Sequence, residues 1–164
     1  MLLLTTMAAA HADTALSDRP FLSSSLFMLA NVVLEDPPDF YQLNLGLPVG
    51  ERDVLLVEAI TWSYQAPLGV PYGPDFDDPS TFYPGSVRGR GVGVAWQHYW
   101  WRGLFSTVHA TPMLQTYHET GGERIQAGFQ LFTAARAGWH ADLFGGRVFI
   151  EPSVAVTSWP INTN

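Results

Sequence analysis

Residues suited to acid–base chemistry are concentrated in the last third of the chain, where His140 and Glu151 flank a Gly-Gly pair at 145–146. A two-residue glycine turn makes facing residue numbers sum to 291, which places His140 opposite Glu151, on one face with Arg136 and Asp142. A carboxylate that accepts a hydrogen bond from histidine orients the ring and raises its pKa, as general-base catalysis requires. Charges on an enclosed face must also be paired, and we expect this structural role for the cluster.

His109 is the fifth candidate for this polar cluster, because a three-residue loop at 102–104 would bring it near Gln97 on the same face. The spacing of four of the five histidines, at 98, 109, 118 and 140, gives no compact metal-binding set, and cysteine is absent. The glycine-rich run RGRGVGV continues as a strand, so no helix N-terminus follows it to bind a phosphate. We therefore expect no metal, no cofactor and no catalytic residues.

Three consecutive segments, at 105–119, 123–144 and 147–160, position these residues by alternating apolar and polar side chains. If the Gly-Gly pair at 121–122 closes a two-residue turn, Tyr117 faces Gln126 and Glu119 faces Arg124. Cross-strand partners share a face, and under both registers polar positions meet polar positions. The pattern predicts three adjacent antiparallel strands with one apolar and one mostly polar face.

Further strands are predicted upstream, at 92–97, 54–64 and 41–47. The run at 24–35, SSLFMLANVVLE, is predicted as a first strand, although periodicity alone allows a turn or two of buried helix. About seven strands then follow one another in meander order. Short turns lie at one end of the strands, and the long loop at 66–87 and the hairpin tip at 120–123 lie at the other.

Composition limits the classes of function that fit this chain. Only 14% of its 164 residues are charged, all eight basic residues are arginine, and the net charge is -7, which makes a nucleic-acid partner unlikely. Residues 1–12 end in Ala-His-Ala and match a signal peptide or its remnant, which leaves 13–164 as a single domain. No later segment has about 18 consecutive apolar residues, so a membrane role would require strands.

The alternating strands, the short and long loops and the export signal together resemble a small bacterial outer-membrane β-barrel protein. The resemblance implies an all-β, antiparallel up-and-down meander that forms a transmembrane β-barrel. About seven of a likely eight strands are present, and we expect the C-terminal strand to be missing from a truncated domain. It also implies outer-membrane lipid as a partner and a structural, narrow-pore or surface-interaction role.

The two faces have opposite environments in such a barrel. We expect five side chains to contact lipid: Phe129, Leu131, Ala135, Val154 and Val156. We expect the polar cluster of His109, Arg136, His140, Asp142 and Glu151, together with Gln130, to point into the lumen. Near the short turns, Trp96, Trp100, Trp101 and Trp139 match the aromatic girdle at a membrane interface.

Two alternatives share the same alternation. A soluble lipocalin-like ligand-binding barrel would direct its apolar residues inward and its polar residues to water. An outer-membrane lipid-modifying enzyme would need a serine, a histidine and an acid, and Ser106, His98, His109, His118 and Glu119 supply these types. However, His98, Ser106 and His118 are predicted on the apolar face and the others on the polar face. We therefore expect no base opposite a nucleophile.

The long loop at 66–87 has aromatic residues among prolines and aspartates. It suits small solutes, a surface glycan, Ca²⁺ or another extracellular partner. Asp75, Asp77 and Asp78 lack the glycine and the distal glutamate of an EF-hand loop, so we expect a solvated loop.

Overall fold

The computed structural model describes residues 19–34, 37, 39–64 and 84–163, and strands dominate this part of the chain. The strands are β1 (Phe21–Ser23), β2 (Tyr41–Pro48), β3 (Asp53–Tyr64), β4 (Ser86–Trp101), β5 (Leu104–His118), β6 (Arg124–Trp139), β7 (Ala141–Leu143), β8 (Val148–Ile150) and β9 (Ser153–Thr163). A 3₁₀ turn (Leu26–Leu29) and α1 (Ala30–Val33) lie between β1 and β2. The signal-like residues 1–12 and most of the 66–87 loop, with its three aspartates, lie outside the described residues.

Seven strands form one antiparallel sheet in the order β1-β2-β3-β4-β5-β6-β9, while β7 and β8 pair as a separate short hairpin. The predicted all-β antiparallel meander is therefore confirmed. The sheet is not closed, and β1 and β9 are its edges. Within the described ranges, no helix is both long and apolar enough to cross a bilayer.

The prediction of a strand over residues 24–35 is wrong, because local side-chain hydrogen bonds favour helical turns there. The hydroxyl of Ser25 accepts a hydrogen bond from the Phe27 backbone N–H at 3.2 Å and caps the 3₁₀ turn. Asn31 then binds both backbone groups of Phe40, which fixes the chain where it enters β2. The residues of both helical turns are exposed or half-buried, so the run is not a buried helix either.

The register set by the second Gly-Gly pair is the predicted one as far as Thr133, beyond which a bulge shifts the β6–β9 partners by one position. Asp142 faces Phe149 in the β7–β8 hairpin, and Ala137 faces Val154 between β6 and β9, and both pairs keep the sum of 291. The β5–β6 register is also confirmed over most of its length, since Tyr117 faces Gln126. At its end the prediction is wrong. His118, and not Glu119, faces Arg124, because a bulge follows Tyr117 and Glu119 bonds to Glu123 around a three-residue tip.

The expected three-residue loop at 102–104 is also incorrect. Arg102 and Gly103 alone form the turn, with φ values of 44° and 88°, which suits the twist of a tight hairpin. The two-residue turn moves the β4–β5 register by one position relative to the expectation, and a bulge between Tyr99 and Trp101 moves it by one more. Gln97 consequently faces Thr107, and His109 faces Ala95.

The two faces of the sheet differ in both chemistry and burial. On the face that we call the polar face, eight polar or charged side chains are buried: Asn44, Glu58, Gln97, Thr107, His109, Thr111, Gln115 and Gln130. On the face that we call the apolar face, large hydrophobic side chains are exposed, among them Val92, Val94, Trp96, Val108, Leu114, Val154 and Val156. Gln97 is 1% exposed and Val156 is 77% exposed, which is the reverse of a water-soluble domain.

Side chains on the polar face are enclosed because the sheet curves. Phe21 in edge strand β1 contacts Phe149 in β8, with ring centroids 5.3 Å apart, although β8 belongs to the separate hairpin between β6 and β9. Phe21 also packs against a small apolar cluster that includes Val54, Tyr99 and Phe105. Gly46 leaves the space for Phe21, since a Cβ at this position would lie inside the ring.

Candidate functional site

Glu151 is the centre of a hydrogen-bonded cluster at the short-turn end of the polar face. Its Oε1 atom lies 2.9 Å from Gln97 Nε2, 2.8 Å from the Tyr99 hydroxyl and 2.9 Å from His140 Nδ1. Gln97 and Tyr99 come from β4, whereas His140 follows β6 and Glu151 lies between β8 and β9. The cluster therefore joins three parts of the chain through one carboxylate.

His140 is held between two carboxylates. Its Nε2 atom lies 3.2 Å from Asp142 Oδ1, opposite the contact with Glu151, and its ring stacks on Phe149 at 5.0 Å. Burial lowers the pKa of His140, but the hydrogen bonds and charges of Glu151 and Asp142 outweigh it, so the pKa is raised. Burial raises the pKa of Glu151, but hydrogen bonds from His140, Tyr99 and Gln97 outweigh it, so that pKa is lowered. The pair is stabilised in its ionised form.

A second polar cluster lies further along the same face. Arg136 Nη2 lies 3.0 Å from His109 Nε2, and since a guanidinium group only donates, this nitrogen must accept. The ring proton is therefore on Nδ1, which lies 4.0 Å from Glu58 Oε2. Glu58 is 3% exposed and also accepts hydrogen bonds from Thr111, at 2.8 Å, and from Gln42. Glu58 thus connects strands β2, β3 and β5.

The five predicted residues consequently form two groups rather than one. His140, Asp142 and Glu151 lie together, and Arg136 pairs with His109 instead of joining them. Sequence reasoning missed Glu58 and Tyr99 as members. Glu58 carried a signal, because it is the only charged residue between Val54 and Tyr64, on a strand with few other polar groups. Nothing in the sequence indicated that Tyr99 belongs to the cluster, because it lies among the tryptophans of an aromatic run.

A third contact lies nearer the hairpin tip, where Gln115 Nε2 donates to Gln130 Oε1 at 2.6 Å. Thr107 links the first cluster to β5 by donating to Gln97 Oε1 at 3.1 Å. Successive rows of polar side chains thus occupy the enclosed face. A cavity of about 640 Å³ remains between edge strand β1 and residues 147–153, with Arg136 in its wall.

The four tryptophans predicted to share an interface are all exposed on or beside the apolar face: Trp96, Trp100, Trp101 and Trp139. They lie close to the short turns. The Trp101 ring has the Arg102 guanidinium 4.8 Å from its centroid. Trp96 and Trp100 use their indole N–H groups, which donate to Asp53 at 3.1 Å and to Ser106 at 3.0 Å.

The side chains assigned to either face follow the predicted alternation. Of the five expected on the apolar side, Phe129, Ala135, Val154 and Val156 are exposed and Leu131 is half-buried. The expectation that no base faces a nucleophile is wrong, because Ser106 lies directly opposite His98 on that side of the sheet. The two-residue turn at Arg102-Gly103 and the bulge between Tyr99 and Trp101 together create this pair. Among the described residues, no group of three or more His, Asp or Glu side chains is arranged to hold a metal ion.

Comparison with known proteins adds no family assignment: no family model, no curated protein and no solved structure matches this chain.

Proposed function

We propose that the chain forms an outer-membrane β-barrel whose interior is filled by hydrogen-bonded polar side chains and whose role is structural. The observation that carries this proposal is the reversed burial of the two faces. Val108 is 65% exposed while its neighbour Thr107 is 1% exposed. Burial of a large apolar side chain stabilises a protein by about 1.5 to 3 kcal/mol, so a sheet in water would gain by the opposite arrangement.

The height of the apolar surface supports lipid as the solvent for this face. On β4, Arg90 and Trp100 lie ten positions apart, and Val92, Val94 and Trp96 lie between them on the apolar face. Ten residues span roughly 33 Å along a strand. A strand tilt of about 40° reduces this to about 25 Å, the height of the apolar band of an outer-membrane barrel.

The free edges support closure by one more strand. Unpaired backbone groups are not tolerated in the hydrocarbon region, and β1 and β9 each have one unpaired edge. The contact between Phe21 and Phe149 brings the two ends of the sheet close together, and the 640 Å³ cavity separates them. An eighth strand between β9 and β1 completes the proposed barrel.

A lipocalin-like barrel fits these observations less well, because its ligand cavity requires an apolar interior. Here Gln97, Thr111 and Gln130 are buried. The filled interior also supports a structural role over a pore, since the buried side chains bond to one another. The proposed contact of the 66–87 loop with an extracellular partner rests on sequence alone.

Tryptophan fluorescence in vesicles tests the proposal. The full-length protein is expressed with its export signal in a Gram-negative host, recovered from the outer-membrane fraction and refolded into phospholipid vesicles. Lipids brominated near the carboxyl end of the acyl chain are expected to quench the exposed tryptophans more strongly than lipids brominated near the methyl end, because the girdle lies at the interface. Recovery as a soluble periplasmic protein whose fluorescence is unaffected by either lipid would refute the proposal.

A further inference from the structure

Three side chains capable of serine-type hydrolysis form a row across the apolar face. Asp53 in β3 faces His98 in β4, and His98 faces Ser106 in β5. His98 Nδ1 lies 2.7 Å from Asp53 Oδ1. An acid that holds one nitrogen of a histidine, with a serine on the strand at the histidine's other side, has the residue order of a catalytic triad.

The hydrogen bonds assign the roles within this row. A carboxylate only accepts, so the proton of neutral His98 lies on Nδ1 and the lone pair lies on Nε2. Asp53 is fixed from a second direction by the N–H of Trp96 at 3.1 Å. Within the described part of the chain, no hydrogen bond engages His98 Nε2. That nitrogen is available as a base.

Ser106 is available as a nucleophile. Its Oγ atom accepts from the indole N–H of Trp100 at 3.0 Å, and since an indole only donates, the hydroxyl proton is not used in this contact. Directly opposed residues hold their Cβ atoms about 4.5 to 5.5 Å apart, which places Ser106 beside His98 without a hydrogen bond between their side chains in this structure. Such hydrogen bonds often form only when substrate binds. On its other side Ser106 faces Ala137, whose small side chain leaves the hydroxyl accessible.

We propose that Ser106, His98 and Asp53 hydrolyse an acyl ester of a membrane lipid. This inference rests on the proposed exposure of the apolar face to lipid. Trp96 and Trp100 contact the row directly, and tryptophans concentrate at the headgroup level of a bilayer, where lipid ester bonds also lie. The row of Asp53, His98 and Ser106 therefore lies at the same depth as the lipid ester bonds, where water is also present.

The reaction has two steps. His98 Nε2 takes the Ser106 hydroxyl proton as Oγ attacks the ester carbonyl carbon, and the bond between that carbon and the alcohol oxygen then breaks. His98 returns the proton to the departing oxygen, which leaves the acyl group on Ser106 and releases the lysolipid. Water then gives a proton to His98 and attacks the acyl-serine. The fatty acid leaves, and the proton returns to Ser106. Asp53 is a positioning residue that acts through His98.

A long-chain alkyl fluorophosphonate tests the inference, because it forms a stable adduct with an activated serine. The folded full-length protein in detergent is labelled, and the modified residue is located by peptide mass spectrometry. We expect the adduct on Ser106 of the unaltered protein. In parallel, release of fatty acid is measured from phosphatidylethanolamine vesicles and from vesicles that contain lipopolysaccharide, which identifies the lipid class.

Matched variants distinguish a catalytic role of the row from a purely structural one. Ser106→Ala and His98→Ala should each reduce labelling and fatty-acid release by 100-fold or more. Ser158→Ala and His118→Ala, which also alter a serine and a histidine outside the row, should leave both rates unchanged. Asp53→Asn should lower kcat for fatty-acid release with little change in KM, because the carboxylate no longer holds the His98 ring in place. Asp53→Glu should recover part of that kcat, whereas a purely structural role would show no such split.

Absence of an adduct on Ser106 in the folded unaltered protein, or labelling as fast in His98→Ala, would overturn the inference. Its failure is distinguishable from failure of the proposed function. If the protein inserts into vesicles but is not labelled at Ser106, only the proposal of a catalytic triad fails. If the protein is soluble and is labelled at Ser106, the triad is supported, but the lipid substrate and the barrel are refuted.

Discussion

At the scale of single residues, Glu151 shows how one carboxylate organises the short-turn end of the polar face. It accepts two hydrogen bonds from β4 and one from His140, and the ring of His140 is oriented by two acids. The same contacts raise the pKa of His140 and lower that of Glu151. Both residues lie outside the strands of the main sheet, at its rim. Their pair should therefore respond to the pH of the surrounding water.

The stability that Glu151 contributes should depend on pH. A raised pKa means that His140 contributes below its ordinary value of 6.5, and that this contribution is lost as pH rises through the higher folded value. A lowered pKa means that Glu151 contributes above 4.5 and that its contribution is lost as pH falls through the lower folded value. The free energy of unfolding lost in Glu151→Gln should be about 1 to 3 kcal/mol and largest between pH 4.5 and 6.5.

Urea titrations of the refolded protein, followed by gel mobility without boiling, measure this loss at each pH. Because one hydrogen bond shifts both pKa values, the two contributions are a single interaction and are not added. A loss that is constant from pH 4 to 8 would contradict the assignment.

At the scale of elements, the packing of β3, β4 and β5 depends on a missing side chain. Gly93 lies between Glu58 and Thr111, and a Cβ at this position would lie 2.2 Å from Thr111 Oγ1. The glycine therefore allows the hydrogen bond that joins β3 to β5 across β4. The alternation of RGRGVGV places Gly93 on the polar face, but the sequence does not indicate which side chain fills its space.

Gly93→Ala should lower the free energy of unfolding by about 1 to 3 kcal/mol, because the methyl group displaces Thr111 from Glu58. Gly121→Ala is the matched control, since a Cβ there meets nothing within 4 Å. Equal urea midpoints for the two variants would show that the space beside Gly93 is not needed.

Register was predictable where glycine determines the turn and not elsewhere. The pair at 145–146 gave the correct partners for β7 and β8, and for β6 and β9 as far as Thr133, where a bulge shifts the register by one position. The prediction of a three-residue loop at 102–104 failed because a positive φ is unusual for arginine. The residue type at position 102 therefore does not indicate a two-residue turn. The alternation assigned side chains to faces correctly, but the two-position error in the β4–β5 register separated His98 from Ser106 in the prediction. His98 and Ser106 were recognised as candidate residue types, but Asp53 was not, and the position of His98 opposite Ser106 was not predicted.

At the scale of the whole molecule, the described residues form a curved sheet with a polar enclosed face and an apolar exposed face. Composition and alternation predicted the meander, because the faces of most long strands differ consistently in chemistry, β3 being the less regular one. They did not predict the division of the polar cluster, which depends on contacts between strands that are not neighbours. Lipid as the solvent for the apolar face remains the proposal, and it has a direct energetic test.

Val94 lies near the middle of the apolar band on β4 and is 53% exposed. In lipid, Val94→Arg should lower the free energy of unfolding by about 2 to 4 kcal/mol. In water the same change on an exposed position should stay within about 0.5 kcal/mol. Val148→Arg is the control, because Val148 is comparably exposed but belongs to the short hairpin beyond the sheet. Equal stabilities for both variants in vesicles would place Val94 in water.

The hydrogen bond from Gln97 to Glu151 also has a consequence for the order of assembly. It joins residues 54 positions apart, whereas each neighbouring pair of long strands from β3 to β6 is consecutive along the chain. Contacts between distant residues form late because closing long segments of chain costs entropy. We therefore expect hairpins to form first and the cluster around Glu151 to form last, when β9 has joined β6. The final event of folding is then the burial of the Glu151 carboxylate, which occurs when Gln97 and His140 form hydrogen bonds with it.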